Sequence, residues 1–281
     1  MSLLLKINEL NNFIDKENFI NLYCKNYQIG LVHKKIVKLL LEKKLPFILK
    51  NNSLFFKEEK KKHLNTTVKN ICELLVEKKI ISRVTGENFP CVSTLGQKEL
   101  FVIERALVEY LGIKGFGVHL IAYVKTGKNK IKVWVPLRAA NKKVEPNKLD
   151  NTVAGGISAG ETVYQALIRE GFEEASFKKN ILNKALQVGT INYAWRNKKL
   201  SLRRDTLFLF DLELPANIIP VNNDGEISKF KLYNCNKVIE KINFTNDFKK
   251  NCALVLASFF IRKGLINSQN ERNYEEICSL L

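Results

Sequence analysis

Three glutamates lie close together in a segment that otherwise has the pattern of an amphipathic helix. Glu170, Glu173 and Glu174 stand at positions i, i+3 and i+4, so a helix would bring their carboxylates together on one turn. Each like-charge pair at this spacing costs an exposed helix about 0.2–0.5 kcal/mol. A positive charge among the carboxylates would offset that cost, and Arg169 and a divalent cation are the two candidates. Hard cations such as Mg²⁺ prefer oxygen ligands and suit phosphate chemistry.

The residues before this helix predict a sharp turn from a strand into the helix. Gly155 and Gly156 permit such a turn, although two glycines alone are a weak signal for a phosphate-binding loop. Glu161 is expected at the start of the helix, where an acidic side chain complements the exposed amides and the positive end of the dipole. Asp150 and Asn151, just upstream, are expected to fix the loop backbone.

The register of these residues resembles the signature of the Nudix family. That signature is Gly-x5-Glu-x7-Arg-Glu-U-x-Glu-Glu-x-Gly-U, in which U is an aliphatic residue. The matching positions in this sequence are Gly155, Glu161, Arg169, Glu170, Glu173 and Glu174. Two positions differ from it. Gly171 stands at an aliphatic position and is expected to leave a small gap in the helix packing, while Ser176 replaces the last glycine and is expected to adopt its turn.

The resemblance extends to nearly the whole chain and is strongest from Phe101 to Phe230. Segments such as "KLDNTVAGGISAGE", "LFLFDLELP" and "FTNDFKKNCALVLASFFIRKGLI" resemble the Nudix branch that is fused to fungal thiamine pyrophosphokinases and also occurs as free-standing plant and bacterial enzymes. This resemblance implies hydrolysis of a diphosphate linkage in a small molecule. Oxidised or damaged thiamine diphosphates are substrates in that branch. A nucleoside diphosphate derivative is the other candidate substrate. Neither composition nor spacing indicates thiamine.

The same resemblance implies roles for the site residues. Mg²⁺ or Mn²⁺ would be held by one carbonyl and three carboxylates, those of Gly155, Glu170, Glu173 and Glu174. Arg169 would orient the carboxylates by paired hydrogen bonds. Glu174 or Glu173 is expected to accept the proton of the attacking water. In some family members a residue from a distant loop does so instead, and Glu226 in "NNDGEI" is the candidate here.

Four residues outside the signature are candidates for contacts with the substrate. Arg138, which follows the predicted strand "KVWVPL", and Lys142 would meet the diphosphate, although a solvent-exposed strand end is nearly as good an interpretation. His119 alternates with apolar residues on a predicted strand, which is typical of a buried histidine, whereas the family resemblance favours a functional one. Trp195 could stack on a heteroaromatic ring, but aromatic residues in strands usually belong to the core.

Composition indicates a folded protein and says less about its partners. The chain has 281 residues, 46% of them hydrophobic, and a formal net charge of +18. Such a charge attracts nucleic acid when basic residues cluster. Here the lysines are scattered, so we expect an anionic small molecule rather than nucleic acid. The six cysteines form no CxxC or CxxH pair of the kind that binds zinc.

The sequence contains no segment typical of export or membrane insertion. The N-terminus "MSLLLKINELNNFID" has neither the basic leader nor the apolar run of a signal peptide. The longest apolar stretch, from Cys252 to Ile261, is about half as long as a membrane span. These features predict a cytoplasmic protein without membrane contact, and they leave a homodimer open.

The hydrophobic pattern predicts an α/β protein in two parts. Residues 1–111 are expected to form a smaller, mainly helical accessory region of α+β type. It would contain a strand pair in "NFINLYCKNYQIGLV" and helices in "HKKIVKLLLEKK", "LNTTVKNICELLVEKK" and "QKELFVIERALVEYLG". Residues 112–281 are expected to form a Nudix-type α/β/α sandwich with a mixed sheet. Within it, "GVHLIAYV" and "KIKVWVPLR" predict a hairpin whose turn contains Gly127 and Asn129.

Two other functions fit the same fold. An allylic diphosphate isomerase would keep the metal but needs a cysteine as acid–base partner, and no cysteine lies in the predicted strands nearest the signature. A non-catalytic module that binds a nucleotide or RNA usually lacks some signature glutamates, whereas this chain retains all of them. Hydrolysis of a capped RNA is a further variant, which a steep salt dependence of binding would favour.

Overall fold

The computed structural model describes residues 2–127, 130–142, 144–196 and 199–281. Within these residues the α-helices are α1 (Leu3–Leu10), α2 (Lys34–Glu42), α3 (Lys61–Glu77), α4 (Arg105–Leu111), α5 (Val163–Ala175), α6 (Lys179–Leu182), α7 (Cys235–Phe244), α8 (Cys252–Arg262) and α9 (Tyr274–Leu280). The strands are β1 (Phe19–Cys24), β2 (Tyr27–His33), β3 (Phe47–Lys50), β4 (Ser53–Phe56), β5 (Asn88–Cys91), β6 (Phe101–Glu104), β7 (Lys114–Gly127), β8 (Lys130–Arg138), β9 (Val153–Gly156), β10 (Leu186–Trp195), β11 (Arg203–Glu213) and β12 (Ile227–Asn234).

A six-stranded mixed sheet forms the centre of the larger part of the protein. Its strands follow the order β10-β11-β7-β8-β12, and β9 pairs with β7 outside that order. β7 runs parallel to β11 and antiparallel to β8 and β9. The continuous apolar run in β7 suits this central position, because a strand covered on both faces needs no polar face. The predicted mixed sheet is therefore confirmed.

Helices cover both faces of this sheet, which gives the predicted α/β/α sandwich. On one face Val118 and Leu120 pack in a core with Ala166 and Leu167 of α5. On the other face alternate residues of β7, such as Ile121, pack in a core with α1 and α8. Because successive side chains of a strand point to opposite faces, β7 contributes to both cores.

The N-terminal part has a core of its own. A four-stranded sheet of order β2-β1-β4-β3 and a two-stranded sheet of β5 and β6 pack with α2, α3 and α4. Helices α2 and α3 lie where the sequence predicts them. The third predicted helix is shorter than expected, because Phe101–Glu104 form strand β6 and the helix begins only at Arg105. The backbone groups of Phe101–Glu104 form hydrogen bonds with β5. In a longer helix the same groups would form hydrogen bonds within the helix.

Helix α1 crosses the predicted boundary between the two parts. Its apolar side chains Leu3, Ile7 and Leu10 are 2%, 0% and 1% exposed. They pack in the core that contains α8 and α9, not with the N-terminal sheets. Helix α1 therefore belongs to the larger core, and the division into residues 1–111 and 112–281 stays a prediction.

The later predicted elements of the sandwich are also present. In the hairpin of β7 and β8, Gly127 stands opposite Lys130, while Asn129 of the predicted turn lies outside the described residues. Strands β10 and β11 and the apolar helix α8 complete this part of the chain. In the part of the chain that the structure describes, no helix is both long and apolar enough to cross a membrane.

Candidate active site

Helix α5 carries the three glutamates, and the local sequence fixes both of its ends. The side chain of Thr162 accepts a hydrogen bond from the Gln165 N–H at 3.2 Å, and the Gln165 side chain accepts one from the Thr162 N–H at 2.8 Å. This reciprocal pair is a capping box. At the other end Ser176 has φ of 54° and ψ of 25°, the left-handed geometry in which glycine usually ends a helix. Ser176 thus adopts the turn expected of it.

Gly171 differs from its expected role. A Cβ at this position would lie 2.8 Å from both Cδ atoms of Leu182. Leu182 is fully buried, comes from helix α6 and already fills this space. The prediction of a small gap in the packing is therefore wrong, because a side chain from the next helix occupies it.

Arg169 makes most of the hydrogen bonds on the charged face of α5. Its Nε and Nη2 atoms donate to the two carboxylate oxygens of Glu161 at 2.6 and 2.9 Å. Its Nη1 atom donates to Glu170 at 2.7 Å and to Glu173 at 3.1 Å. The Nη2 atom also donates to the carbonyl of Gly156 at 2.9 Å. A planar guanidinium suits such paired bonds to carboxylates.

Glu161 lies one residue before the N-cap and so outside the first turn of α5. The predicted complementation of the helix dipole stays a prediction. Its carboxylate accepts from the Ser158 N–H at 2.9 Å as well as from Arg169. The hydrogen bond from Arg169, opposed by partial burial, holds the pKa of Glu161 below its ordinary value. Glu161 thereby ties residues 155–161, here called the glycine loop, to Arg169.

Glu170 and Glu174 lie against the backbone of β9. The carboxylate carbon of Glu170 is 1.8 Å from the position that a Cβ on Gly155 would take, so only glycine leaves room for it. Glu174 is 4% exposed, and its Oε2 atom accepts from the Ala154 N–H at 2.8 Å. Two carboxylates therefore share a largely buried position beside the backbone of residues 154 and 155.

Burial makes both of these carboxylates hard to ionise. It raises the pKa of Glu170 to about 7, with Arg169 opposing the shift and neighbouring carboxylates adding to it. Burial also raises the pKa of Glu174 well above its ordinary value, helped by the charges of Glu170 and Asp150. A cation beside the two carboxylates would favour their ionised forms.

Glu173 differs from the other two glutamates. Its side chain is 43% exposed and bonds to Arg169. Within the ranges that the structure describes, no three acidic, histidine or cysteine side chains form a ready-made metal cluster. The convergence predicted from the spacing is therefore present only in part: Glu170 and Glu174 meet beside β9, while Glu173 lies on the more exposed side at Arg169.

A segment distant in sequence brings Glu226 to the same region. The Asn223 N–H, three residues before Glu226, donates to the carbonyl of Glu173 on α5 at 3.2 Å, and the negative charge of Glu226 adds slightly to the raised pKa of Glu170. The Glu226 side chain forms an ion pair with Lys142, and its carbonyl accepts from the Ala139 N–H at 2.9 Å. The structure thus brings two of the predicted site residues, Lys142 and Glu226, together near α5.

Comparison with known protein families agrees with this geometry. Residues 115–252 match the NUDIX domain family, and residues 2–115 match a family described as a domain of unknown function, DUF4743. Nudix hydrolase 20, chloroplastic, from Arabidopsis thaliana is 32% identical over 277 residues, and the match covers 94% of this chain and 74% of that protein. The chain belongs to the Nudix hydrolase family.

Other proteins are similar to this Nudix hydrolase at comparable or lower identity. Nudix hydrolase 24, chloroplastic, from Arabidopsis thaliana is 31% identical over 270 residues, which is 94% of this chain and 73% of that protein. The crystal structure of DR0079 from Deinococcus radiodurans covers 61% of this chain and 98% of its own, at 20% identity and a TM-score of 0.48. Both plant relatives are named chloroplastic, so the cytoplasmic localisation stays a prediction.

Arg138 lies inside this Nudix hydrolase and not at an exposed strand end. It is 5% exposed, and its Nη1 atom donates to Asp150 at 2.8 Å. Its Nε and Nη2 atoms donate to the carbonyls of Glu145 and Val144 at 3.1 and 2.9 Å. With its guanidinium engaged in this way, we assign Arg138 to the support of residues 144–150 and not to a contact with diphosphate.

His119 and Trp195 lie on the same face of the sheet but far apart. His119 is 3% exposed, and its Nδ1 atom lies 2.7 Å from Nδ2 of Asn151, which agrees with the buried-histidine interpretation. Trp195 is half-buried. Their partners on β11, Leu209 and Arg203, are six residues apart, or about 20 Å at ~3.3 Å per residue. The structure does not bring these two candidates into one cluster.

Lys249 belongs to the charged surroundings of the site and was missed in the sequence. Its Nζ atom lies 3.3 Å from Asp150. Its positive charge helps to lower the pKa values of Asp150 and His119. It also opposes the rise of the Glu174 pKa that burial causes. No spacing rule identifies Lys249, because it lies 75 residues after Glu174 in the sequence and reaches the site only through the folding of the segment before α8.

Proposed function

We propose that this Nudix hydrolase cleaves a diphosphate linkage in a small molecule by attack of water at phosphorus. The observation that carries the proposal is the pair of carboxylates, Glu170 and Glu174, packed beside the backbone of Gly155 and Ala154. Burial disfavours two negative charges at this place. Two buried negative charges destabilise the protein unless a positive charge lies beside them. Because carboxylate oxygens are also good ligands for hard cations, this pair suits a bound cation.

A divalent cation fits the donor set. Oxygen atoms are the ligands that Mg²⁺ and Mn²⁺ prefer. The proposed donors are the carbonyl of Gly155 and the carboxylates of Glu170, Glu173 and Glu174. The bare Cα of Gly155 lets the Glu170 carboxylate reach the backbone, where any other residue would place its Cβ. When bound, the cation would neutralise charge on the diphosphate oxygens and lower the pKa of a water molecule.

The side chains around these donors have separate tasks. Arg169 holds Glu161, Glu170 and Glu173 by four hydrogen bonds to carboxylate oxygens and thereby limits their rotation. Glu174, Glu173 and Glu226 are the three candidates to accept the proton of the attacking water. Glu226 is 42% exposed, so water reaches it without any rearrangement of the buried pair.

Charge supports an anionic diphosphate as the substrate. Lys142 is 23% exposed and lies beside Glu226, where it can meet such a group. Trp195 packs with the core on the face of the sheet opposite α5, so its ring does not identify the rest of the substrate. Thiamine diphosphate analogues and nucleoside diphosphate derivatives both contain a diphosphate, and they are the two classes that we propose.

Phosphate release from a substrate panel tests the proposal. The panel contains thiamine diphosphate, its oxo and oxy analogues, ADP-ribose and dinucleotide polyphosphates, each with Mg²⁺ and then with EDTA. We expect turnover of at least one compound that EDTA abolishes and added Mg²⁺ restores. Glu174→Gln should lower kcat by several orders of magnitude, because the amide keeps the bond from Ala154 but removes a negative oxygen donor.

Glu240→Gln is the matched control for this substitution. Glu240 lies on α7, more than half exposed, in a pair with Lys237, and we expect its replacement to leave kcat unchanged. Full activity of the Glu174→Gln variant, or turnover that survives EDTA, would exclude the proposed mechanism.

The isomerase alternative is less well supported by the structure. It requires a reactive cysteine in the pocket. Cys252 is the cysteine bonded to Asp150, with its Sγ atom donating to Oδ1 at 2.8 Å. It is fully buried, and burial raises the pKa of its thiol well above the ordinary value, which keeps it protonated and unreactive.

A further inference from the structure

The glycine loop is held from two sides. On the side of α5, Arg169 binds the carbonyl of Gly156 and the carboxylate of Glu161. On the opposite side the loop meets β5, which belongs to the N-terminal part of the chain. The backbone N–H of Ala159 donates to the carbonyl of Asn88 at 2.9 Å. The loop is therefore bonded to the N-terminal part as well as to its own helix.

Phe89 packs directly against the loop across this boundary. A Cβ added to Gly156 would lie 2.7 Å from Cζ and 3.1 Å from Cε1 of the Phe89 ring. The ring edge thus occupies the space next to the Gly156 backbone. Gly156 lies in strand β9, where the backbone conformation itself would accept alanine. Phe89, and not backbone geometry, therefore demands glycine at this position.

The Phe89 ring is itself supported by neighbours in the N-terminal part. Its strand pairs with β6, with Phe89 opposite Ile103. The guanidinium of Arg105 lies 5.6 Å from the ring centroid, and its Nη1 atom donates to both carboxylate oxygens of Glu87 at 3.0 and 2.8 Å. The sheet pairing and the guanidinium together hold the ring against the loop.

We propose that Phe89 and Asn88 are positioning residues for the reaction. The N-terminal part, through the β5–β6 hairpin, holds the glycine loop where the Gly155 backbone meets Glu170 and the Gly156 carbonyl meets Arg169. This inference rests on the proposed hydrolysis for its effect on catalysis. The contact itself is a property of the protein without substrate and can be measured there.

A double-mutant cycle at positions 89 and 156 tests the proposal. Gly156→Ala places a methyl group against the Phe89 ring and should shift the loop, and a displacement of about 1 Å can cost about 100-fold in rate. Phe89→Ala removes the support and should lower kcat by a smaller factor. In the Phe89→Ala/Gly156→Ala variant the clash is gone, so kcat should be higher than in Gly156→Ala alone.

Hydrogen exchange gives a readout that does not depend on turnover. In the metal-free protein Phe89→Ala should accelerate exchange of the amides in residues 157–161, because the loop loses its support on one side. Phe55→Ala is the matched control, since Phe55 is also a half-buried phenylalanine of the N-terminal part and stacks on Tyr23 at 5.0 Å. We expect it to lower the melting temperature without changing exchange in the loop.

The outcomes separate this inference from the proposed function. Unchanged loop exchange in Phe89→Ala would overturn the positioning role. So would a double variant no more active than Gly156→Ala, or equal acceleration of loop exchange by Phe55→Ala. If no compound of the panel is hydrolysed by the wild-type protein, the proposed function fails, while the exchange measurement still decides whether Phe89 supports the loop.

Discussion

Asp150 is buried and has several ionic and hydrogen-bond partners. Burial alone would raise its pKa, but the charges of Lys249 and Arg138 outweigh this effect and hold the pKa of Asp150 at about 2. The Asn151 N–H and the Cys252 thiol also donate to Oδ1, each at 2.8 Å. Removing one partner of such a buried pair typically costs about 3–5 kcal/mol. We therefore interpret this group as the support of the strand that carries Gly155.

His119 should make the protein sensitive to moderate acid. Burial and, less strongly, the charge of Lys249 lower its pKa to about 3, with Asp150 opposing the shift, whereas an unfolded chain has a histidine pKa of about 6.5. The unfolded state then binds more protons between these values, so stability falls as pH falls through this range. We expect this residue to cost the wild-type protein about 2–3 kcal/mol of unfolding free energy between pH 7 and pH 4.5.

His119→Gln isolates this effect, because glutamine can keep a hydrogen bond to Asn151 but does not titrate. Urea unfolding at pH 7 and pH 4.5 measures the loss for both proteins. The loss should be smaller in the variant by the stated amount, since carboxylates such as Glu170 titrate in both proteins alike. An equal loss in both proteins would show that His119 is not held in its neutral form.

Local elements of the site were predictable from the sequence, and contacts between elements were not. The spacing of the glutamates indicated the register of α5, and the resemblance to the Nudix signature, which has glycine at this position, implied the turn at Ser176. The neighbour of Gly171 is Leu182, on another helix, and no spacing within α5 reveals it. For Arg138, likewise, an exposed strand end was one interpretation of the sequence, whereas in the structure the side chain is buried in an ion pair with Asp150.

The same distinction applies to the fold. Apolar segments on either side of a turn with glycine and asparagine predicted the central strands β7 and β8, because such signals are local in the sequence. They did not predict strand β6, whose four residues precede helix α4 in one apolar run. There the pairing with β5 decides the conformation, and a long-range partner of this kind leaves no periodic signal in a short segment.

The end of α5 offers a stabilising substitution. Ser176 has φ of 54°, and a left-handed conformation costs a residue other than glycine about 1–2 kcal/mol. Glycine removes that cost but makes the unfolded chain more flexible, which offsets about 0.4–1 kcal/mol. Ser176→Gly should therefore stabilise the protein by about 1 kcal/mol, seen as a higher urea midpoint at an unchanged m-value.

Ser176→Ala is the control for this substitution, because alanine shortens the side chain while keeping the Cβ that strains the turn. We expect no gain in stability from alanine. Equal stabilisation by alanine and glycine would mean that the backbone conformation at residue 176 is not the source of the cost.

At the scale of the whole molecule, the two ends of the chain form one core. The Leu3 N–H donates to Oδ1 of Asn243 at 2.9 Å, and Leu3, Ile7 and Leu10 pack with α8 and α9. The larger part of the protein is therefore completed by a helix that the chain forms before the N-terminal sheets. A fragment that begins at residue 112 lacks these three side chains and exposes the core that they cover.

Ile7→Ala tests this arrangement, with Leu5→Ala as its control. Ile7 is fully buried and Leu5 is 54% exposed, so we expect losses of about 2–5 kcal/mol and of less than about 0.5 kcal/mol. Both tryptophans, Trp134 and Trp195, lie in the larger part, so their fluorescence reports the unfolding of that part. Ile7→Ala should lower the urea midpoint of the fluorescence change. If the midpoint stays constant while the buried thiols of the N-terminal core become reactive at lower urea, α1 stabilises the N-terminal part instead.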